Sequence, residues 1–448
     1  MRVGIIGGGI TGLSCAYYLG KLGPDMDATV FDPAPGGPIG TVNIEGCILE
    51  TGPESWLAAK PWAEQLIREL GLGDDLTGSN DAQRRTFVLR DGRFLTLPEG
   101  LQMVVPTKVL PVLKSELFGW GTKLRMGLEV FRNPVAHPDR SVSDFVNDHF
   151  GPEAVEFLAE PLLAGVYGGS PDELSAASVL PKFVEYEQRY GSVVVGTFRD
   201  RRPPSKNSIF RSLRSGVGTL IEALKSRVHI VNSRVDSLEL SDDIGWTITA
   251  DGKQSIFDIV IVACGANKAQ PLLAPIDPQL SELLGTIPYS GSAIWTFGYR
   301  RSDVPHPLNA FGFLVPRAER EARNMKMMAC TWLGTKWAGR VPDDKAVFRC
   351  FSTDPDAPRA AVQAELHRLM GITADPLFTV GHRWPESMPQ YTIGHAARVD
   401  EIERLASELP GLYLAGNAYR GIGIPDCVKS AQQTAKAISE LIPALLAQ

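Results

Sequence analysis

The sequence predicts an α/β fold, α+β overall, on three observations. A short apolar run, a glycine turn, a helix-like stretch and a second apolar run follow one another within the first thirty-two residues. A second glycine loop opens a helix near the C-terminus, and the middle of the chain alternates like antiparallel sheet. The expected architecture is a Rossmann-like nucleotide-binding domain, interrupted by a mixed-sheet domain and a helical subdomain.

Val3-Gly4-Ile5-Ile6 breaks into Gly7-Gly8-Gly9-Ile10-Thr11-Gly12, Leu13 to Leu22 has helical character, and the next apolar run ends at Asp32. In such a unit Gly7 permits the tight turn, Gly9 lets the backbone approach a pyrophosphate, and Gly12 allows helix and strand to pack closely, with the helix N-terminus facing the phosphates. Asp32 falls 20 residues after Gly12, where an acid accepts ribose hydroxyls. The apolar start imitates a secretion signal, but four glycines between residues 4 and 9 spoil its apolar core and only Arg2 supplies a preceding charge.

At 448 residues the chain exceeds what one hydrophobic core usually serves, so two or three domains are expected. A net charge of −6 argues against a general nucleic-acid binder, and no apolar run approaches the ~20 residues needed to span a bilayer. Cys15, Cys47, Cys264, Cys330, Cys350 and Cys427 are scattered without metal-ligand spacing and read as buried side chains in a reducing cytoplasm. The histidines form no cluster in sequence, so no metal site is expected.

After Asp32 the chain does not continue with another βαβ repeat. The pair Gly36-Gly37 and the turn Glu50-Thr51-Gly52-Pro53-Glu54-Ser55 suggest a chain passing back over a longer cofactor, or two ordinary turns flanking a hairpin. Residues 62 to 72 have helical spacing, and Phe87 to Pro98 reads as a hairpin around Asp91-Gly92. From Leu101 to Phe131, apolar residues alternate with Lys108, Lys114, Lys123 and Arg125, a pattern of amphipathic basic helices suited to a membrane interface, to the roof of an apolar cavity, or to plain packing. Glu160 to Gly169 mixes apolar residues with three glycines, which let a ligand or a second backbone come close. Gly216-Val217-Gly218 leads into a helix, strands follow at Val228 to Val231 and Val235 to Leu238, and Phe257 to Gly265 is a buried strand. Residues 285 to 353 alternate like antiparallel sheet.

Leu412-Tyr413-Leu414-Ala415-Gly416-Asn417 reads as a strand entering a turn, and Arg420-Gly421-Ile422-Gly423-Ile424-Pro425-Asp426 as a second glycine loop opening a helix. That helix has one apolar face through Val428, Ala431, Ala435, Ile438, Ile442 and Leu445. Two such loops, one at each end of the chain, suggest one extended cofactor gripped at both ends.

These residues resemble the protoporphyrinogen/coproporphyrinogen oxidases, FAD enzymes of haem biosynthesis within the amine-oxidase-like superfamily. The resemblance rests on Gly7 to Gly12, Glu50 to Pro53, Leu97 to Leu101, Glu160-Pro161-Leu162-Leu163-Ala164-Gly165-Val166-Tyr167, Phe311 to Pro316, Trp384 to Thr392 and Ala415 to Cys427. It implies FAD held by Gly7, Gly8, Gly9, Ile10, Thr11, Gly12, Asp32, Gly37, Gly52, Pro53, Glu54, Ser55, Val235 near the adenine, Trp384, Gln390, Gly416, Ile422, Gly423 and Ile424. It also implies that Gly165 lies in the substrate cavity with its carbonyl facing the macrocycle, and that Tyr167 lines that cavity. Two positions depart from the family pattern. Pro38 and Gly40 stand where a bulky or basic residue and an arginine are usual, which leaves the pyrophosphate contacts of that loop open. Gln102 replaces an arginine that pairs with a substrate propionate, so Lys108 or another basic residue takes that part.

The implied domains are an FAD-binding domain from 1–75, 205–275 and 376–448, a substrate-binding domain from 76–100, 176–204 and 276–375, and a helical, membrane-facing subdomain at 101–175. The implied reaction removes six electrons from a porphyrinogen, coproporphyrinogen III or protoporphyrinogen IX, with dioxygen reoxidising the flavin to yield hydrogen peroxide. The rivals are another flavin oxidase acting on amines or polyenes, and a flavin-binding scaffold without turnover. The resemblance places the protein in the cytoplasm and leaves open contact with the inner face of the cell membrane, product hand-off to a ferrochelatase, and a monomer or dimer.

Overall fold

The computed structural model describes residues 1–200, 208–241 and 243–445. The expected boundary at 204–205 lies outside them, as do the side chains of Ile442 and Leu445. Arg2–Ile6 is the middle of a five-stranded parallel sheet, in the order His229–Val231, Asp27–Phe31, Arg2–Ile6, Ile259–Val262, Leu412–Leu414. Its strands are nearly continuous apolar runs because both faces are covered: Val3, Ile5, Val260, Ile261 and Val262 are fully buried. One face carries the helices Ile10–Gly20 and Ile424–Leu445, which share a core with Leu13, Leu19, Val428, Ala431 and Ile438. The other face carries a three-stranded antiparallel sheet, Val235–Ser241, Gly245–Ala250 and Lys253–Phe257. The chain leaves Arg2–Ile6 towards one side of the sheet and returns on the other. A crevice therefore opens at the carboxyl ends of Arg2–Ile6 and Ile259–Val262, where ligands bind in such sheets.

A seven-stranded sheet forms the second layer, in the order Phe378–Pro389, Tyr289–Arg300, Lys345–Ser352, Ala329–Trp332, Gly312–Leu314, Thr86–Arg90, Arg93–Thr96. All pairs are antiparallel except Gly312–Leu314 with Thr86–Arg90. The hairpin expected at Asp91-Gly92 forms, and both residues have positive φ (53° and 74°), as a turn matching strand twist requires. Phe378–Pro389 is an edge strand, so Pro385 interrupts no ladder between two neighbours.

The segment from 101 to 131 differs from an all-helical reading. It starts as a two-residue hairpin, Leu101–Gln102 with Val105–Pro106, before the helices Val109–Lys114 and Trp120–Leu128. Val104-Val105-Pro106 explains the difference, since β-branched residues before a proline disfavour a helix interior. Val142–Phe150, Glu160–Tyr167 and Pro181–Tyr190 share one core of Phe145, Phe150, Leu158, Leu163, Phe183 and Tyr186. Residues 176–199, grouped by sequence with the mixed sheet, pack into this helical core, while Phe378–Pro389 joins the mixed sheet. A π-helical turn, Val155–Ala159, leads directly into Glu160–Tyr167. Such wide turns re-aim the helix that follows, here the one carrying Gly165.

Candidate functional site

The residues singled out at the two ends of the chain converge on the crevice. Gly36 N donates to Gly8 O at 2.8 Å, which lays the Gly36-Gly37 turn against the first glycine loop. A Cβ on Gly12 would sit 1.9 Å from the Gly7 carbonyl oxygen, so only glycine lets the helix start there. A Cβ on Gly9 would meet nothing within 4 Å. Gly9 therefore faces open space at a helix start with no side-chain cap, where unpaired N–H groups suit a phosphate.

Asp32 is fixed at the end of the second strand by accepting from Gly8 N at 2.6 Å and Ala34 N at 2.7 Å. Each oxygen keeps a lone pair for a hydroxyl donor. Val235 packs in the same core as Phe31, beside that strand end. The turn at 50–55 closes on the same loop: Thr51 N donates to Gly40 O at 2.8 Å, a Cβ on Gly52 would lie 2.1 Å from Pro38 O, and Trp384 Nε1 donates to Thr51 O at 2.8 Å. From the other end of the chain, a Cβ on Gly416 would lie 3.9 Å from Thr11 Oγ1. Gln432 Nε2 donates to Tyr18 OH at 2.8 Å, so the two helices that open from the glycine loops lie side by side. Ile424 is buried against the first helix, and Ile422 packs on the helical subdomain beside Tyr391.

In the helix Glu160–Tyr167, Gly165 is exposed, with open space where a side chain would be. Its neighbour Ala164 packs against Met328 and Ala329 of the mixed sheet, with Leu314 and Phe351 alongside, giving an apolar wall. Gln390 is spent on this wall: its Nε2 reaches Tyr167 O at 2.6 Å and Ser290 Oγ at 2.8 Å. Tyr167 lies 6.0 Å from Tyr391, ring centre to ring centre. Gln102 is exposed on the hairpin, and Lys108, at the start of the helix Val109–Lys114, pairs its Nζ locally with Glu99 at 3.6 Å.

The ion pairs that hold the site together are not legible in the sequence. Glu54 is buried between Lys336 Nζ and Arg349 Nη1, and Glu50 lies 2.9 Å from Arg340 Nη1. Burial pushes the Glu54 carboxyl up, but Lys336 and Arg349 outweigh it and hold it down at about 2. Glu50 is pushed up by burial against the pull of Arg340. At the other end Lys60 Nζ lies 2.6 Å from Asp426 Oδ2, beside the second glycine loop. These partners come from strands and helices hundreds of residues apart, and no local spacing marks them.

The pattern of a family model for flavin-containing amine oxidoreductases matches residues 10–439. The chain belongs to that family. Coproporphyrinogen III oxidase of Bacillus subtilis (strain 168) is 32% identical over 457 residues, covering 95% of both chains. Mitochondrial protoporphyrinogen oxidase of Nicotiana tabacum is 27% identical, covering 96% of this chain and 93% of its own. A solved structure from Exiguobacterium sp. 255-15, provisionally named protoporphyrinogen oxidase, superposes with a TM-score of 0.86 at 29% identity over 98% of each chain. Reduced UDP-galactopyranose mutase shares the fold, with a TM-score of 0.71 at 15% identity. This member of the family is a flavin-dependent oxidoreductase, and its cofactor is FAD, the dinucleotide form whose pyrophosphate suits the open cradle at Gly9.

Proposed function

We propose that this oxidoreductase converts a porphyrinogen into the corresponding porphyrin, with coproporphyrinogen III the favoured substrate. The observation that carries the proposal is end-to-end similarity to relatives named coproporphyrinogen III oxidase, at 28–32% identity over 95% or more of this chain. The exposed Gly165, with open space in place of a side chain, suits the close approach of a large flat macrocycle. Bound FAD supplies hydride acceptance and, through dioxygen, release of hydrogen peroxide; three such rounds remove the six electrons.

In this reading Gly7 to Gly12, Gly37 and Gly416 hold the pyrophosphate region, Asp32 the ribose, Val235 the adenine end, and Gly52 to Ser55, Trp384 and Ile422 to Ile424 the ring. Gly165 and Tyr167 line the substrate cavity, and Gln390 fixes that wall by its bond to the Tyr167 carbonyl. No side chain is assigned as a general base. The protein's part is to orient the macrocycle and exclude water. An amine-specific site would use an aromatic pair beside the ring, whereas Tyr419 of the C-terminal motif is buried in the core.

The exposed face of residues 109–131 fits a membrane interface. Trp120 and Phe131 are 76% and 77% exposed, Val109, Leu110, Leu124 and Leu128 are exposed beside them, and Lys114, Lys123 and Arg125 lie between. Among the described residues no helix is long and apolar enough to cross a membrane.

Anaerobic mixing of the FAD-loaded protein with coproporphyrinogen III tests the reaction. Bleaching of the flavin band, followed by porphyrin fluorescence on admitting air, is the expected result. An unchanged spectrum with this substrate and with protoporphyrinogen IX would sink it. Bleaching by primary amines instead would support the rival oxidase.

A further inference from the structure

We propose that Tyr391, backed by His395, is a positioning residue that clamps the second glycine loop in its flavin-holding shape. The inference rests on the reading that Ile422 to Ile424 face the flavin. The Tyr391 hydroxyl donates to Asn417 O at 2.7 Å and accepts from Gly421 N at 2.7 Å, so one oxygen ties together both ends of the span from 417 to 421. His395 Nε2 lies 2.9 Å from Tyr419 O, in the middle of that span. The two rings stack at 3.9 Å with 13° between their planes, and both residues are nearly fully buried, 3% and 2% exposed.

A carbonyl can only accept, so His395 must carry its proton on Nε2. Burial pushes the imidazole down to about 4, which keeps it neutral and fit for that single donation. Within the same span, Arg420 is held by Glu403 at 2.7 Å and Asp400 at 2.8 Å, both from the same helix as His395, His395–Glu408. Helix and tyrosine therefore act as a splint along the loop. Gly421 has φ +136°, a conformation that L side chains resist, and the bond from its N–H to Tyr391 holds it there. Tyr391 also stands beside Gln390, which grips the Tyr167 carbonyl on the substrate wall, so one segment fixes both the flavin loop and that wall.

The test compares full-length Tyr391→Phe with the wild-type chain after removal and re-addition of FAD. The variant keeps the stacked ring and loses both bonds. FAD affinity should fall by about tenfold or more, since two buried backbone groups lose their partner. The flavin absorption band should shift, and kcat should fall while KM for coproporphyrinogen changes less than about twofold. Tyr186→Phe is the control: it removes the hydroxyl of another buried tyrosine, bonded to the exposed Asp200 at 2.6 Å, and should leave the flavin spectrum and affinity unmoved. His395→Gln, whose amide N–H can replace the Nε2 donor, should retain more FAD affinity than His395→Leu, which covers the case in which Tyr391→Phe does not fold. Wild-type affinity and spectrum in Tyr391→Phe would overturn the inference alone, as would equal affinities in the two His395 variants. A wild-type chain that does not take up FAD would overturn the flavin reading beneath it.

Discussion

Arg349 Nη1 lies 2.8 Å from Glu54 Oε2, a buried ion pair that joins the seven-stranded sheet to the Gly52-Pro53 turn. Arg349 Nη2 also donates to Glu50 O, at 3.1 Å, and to Gly52 O, so the guanidinium holds the turn's backbone as well as its carboxylate. Arg349→Met would leave two carbonyls unpaired and Glu54 with Lys336 alone. The expected loss is about 3–5 kcal/mol in denaturant unfolding, with weaker FAD retention. Arg349→Lys restores the charge without the fork and should recover only part. Because Glu54 is held at about 2, against 4.5 in an unfolded chain, its contribution is fully present above pH 4.5 and is lost as pH falls towards 2. Glu54→Gln should flatten that limb of an acid titration.

Gly9 and Gly12 separate folding from binding. An alanine at 12 would drive its Cβ into the backbone at Gly7, 1.9 Å from the oxygen, so Gly12→Ala should lower the melting temperature of the FAD-free chain as well as abolish binding. An alanine at 9 meets no protein atom within 4 Å and should leave the FAD-free melting temperature alone. It would occupy the space proposed for a phosphate, so titration should show weaker FAD binding. Equal FAD affinity in Gly9→Ala and wild type would move the pyrophosphate elsewhere.

His149 gives the helical subdomain a pH limit. Its Nδ1 lies 2.8 Å from Glu129 and its Nε2 3.1 Å from Glu187, with Arg140 also on Glu187 at 2.6 Å. Burial pushes the imidazole down, but the two carboxylates outweigh it and raise it above its ordinary 6.5. A raised value means that the stabilisation is present below pH 6.5 and is lost as pH climbs through the folded-state value. Thermal melts should decline on the alkaline side of 6.5 in the wild type. His149→Gln should melt lower throughout and lose this alkaline decline.

The parts of the molecule written in local pattern were readable in the sequence. The strand, glycine turn and helix at residues 2–20 need only neighbours in sequence, and so does the Asp91-Gly92 turn. The hairpin at 101–106 is hidden in the sequence because the apolar residues with helical spacing that follow mask Val104, Val105 and Pro106, which disfavour a helix. The ion pairs Glu54–Arg349 and Lys60–Asp426 span 295 and 366 residues, and charge placement at such separations leaves no local mark. Tyr391 stood inside a recognised block, yet its role depends on which backbone groups the fold brings to its hydroxyl.

The apolar face of the helical subdomain makes a separate prediction. Trp120 is 76% exposed and has Lys123 Nζ 4.9 Å from its ring centre, an aromatic-basic pair suited to the headgroup level of an anionic bilayer. The wild-type chain should sediment with vesicles containing anionic lipid and less so with neutral ones. Trp120→Ser with Phe131→Ser should abolish sedimentation while leaving turnover of soluble porphyrinogen unchanged. Equal sedimentation of wild type and double variant would remove this face from any membrane role.

Gly165 tests the cavity because helix physics and substrate access pull in opposite directions there. It sits inside the helix Glu160–Tyr167, where glycine is less favourable than alanine by about 0.8–1 kcal/mol, yet apart from its chain neighbours and its own helix backbone no atom lies within 4 Å of where a Cβ would go. Gly165→Ala should therefore stabilise the fold by up to that amount, seen as a higher melting temperature. A leucine projects several atoms into the same space. Gly165→Leu should keep the wild-type flavin spectrum and FAD affinity while KM for coproporphyrinogen rises about tenfold or more, as a shared volume is denied to the macrocycle. If Gly165→Leu turns over with an unchanged KM, the substrate does not lie against this helix, and the cavity wall at Ala164, Met328 and Phe351 is not where the macrocycle binds.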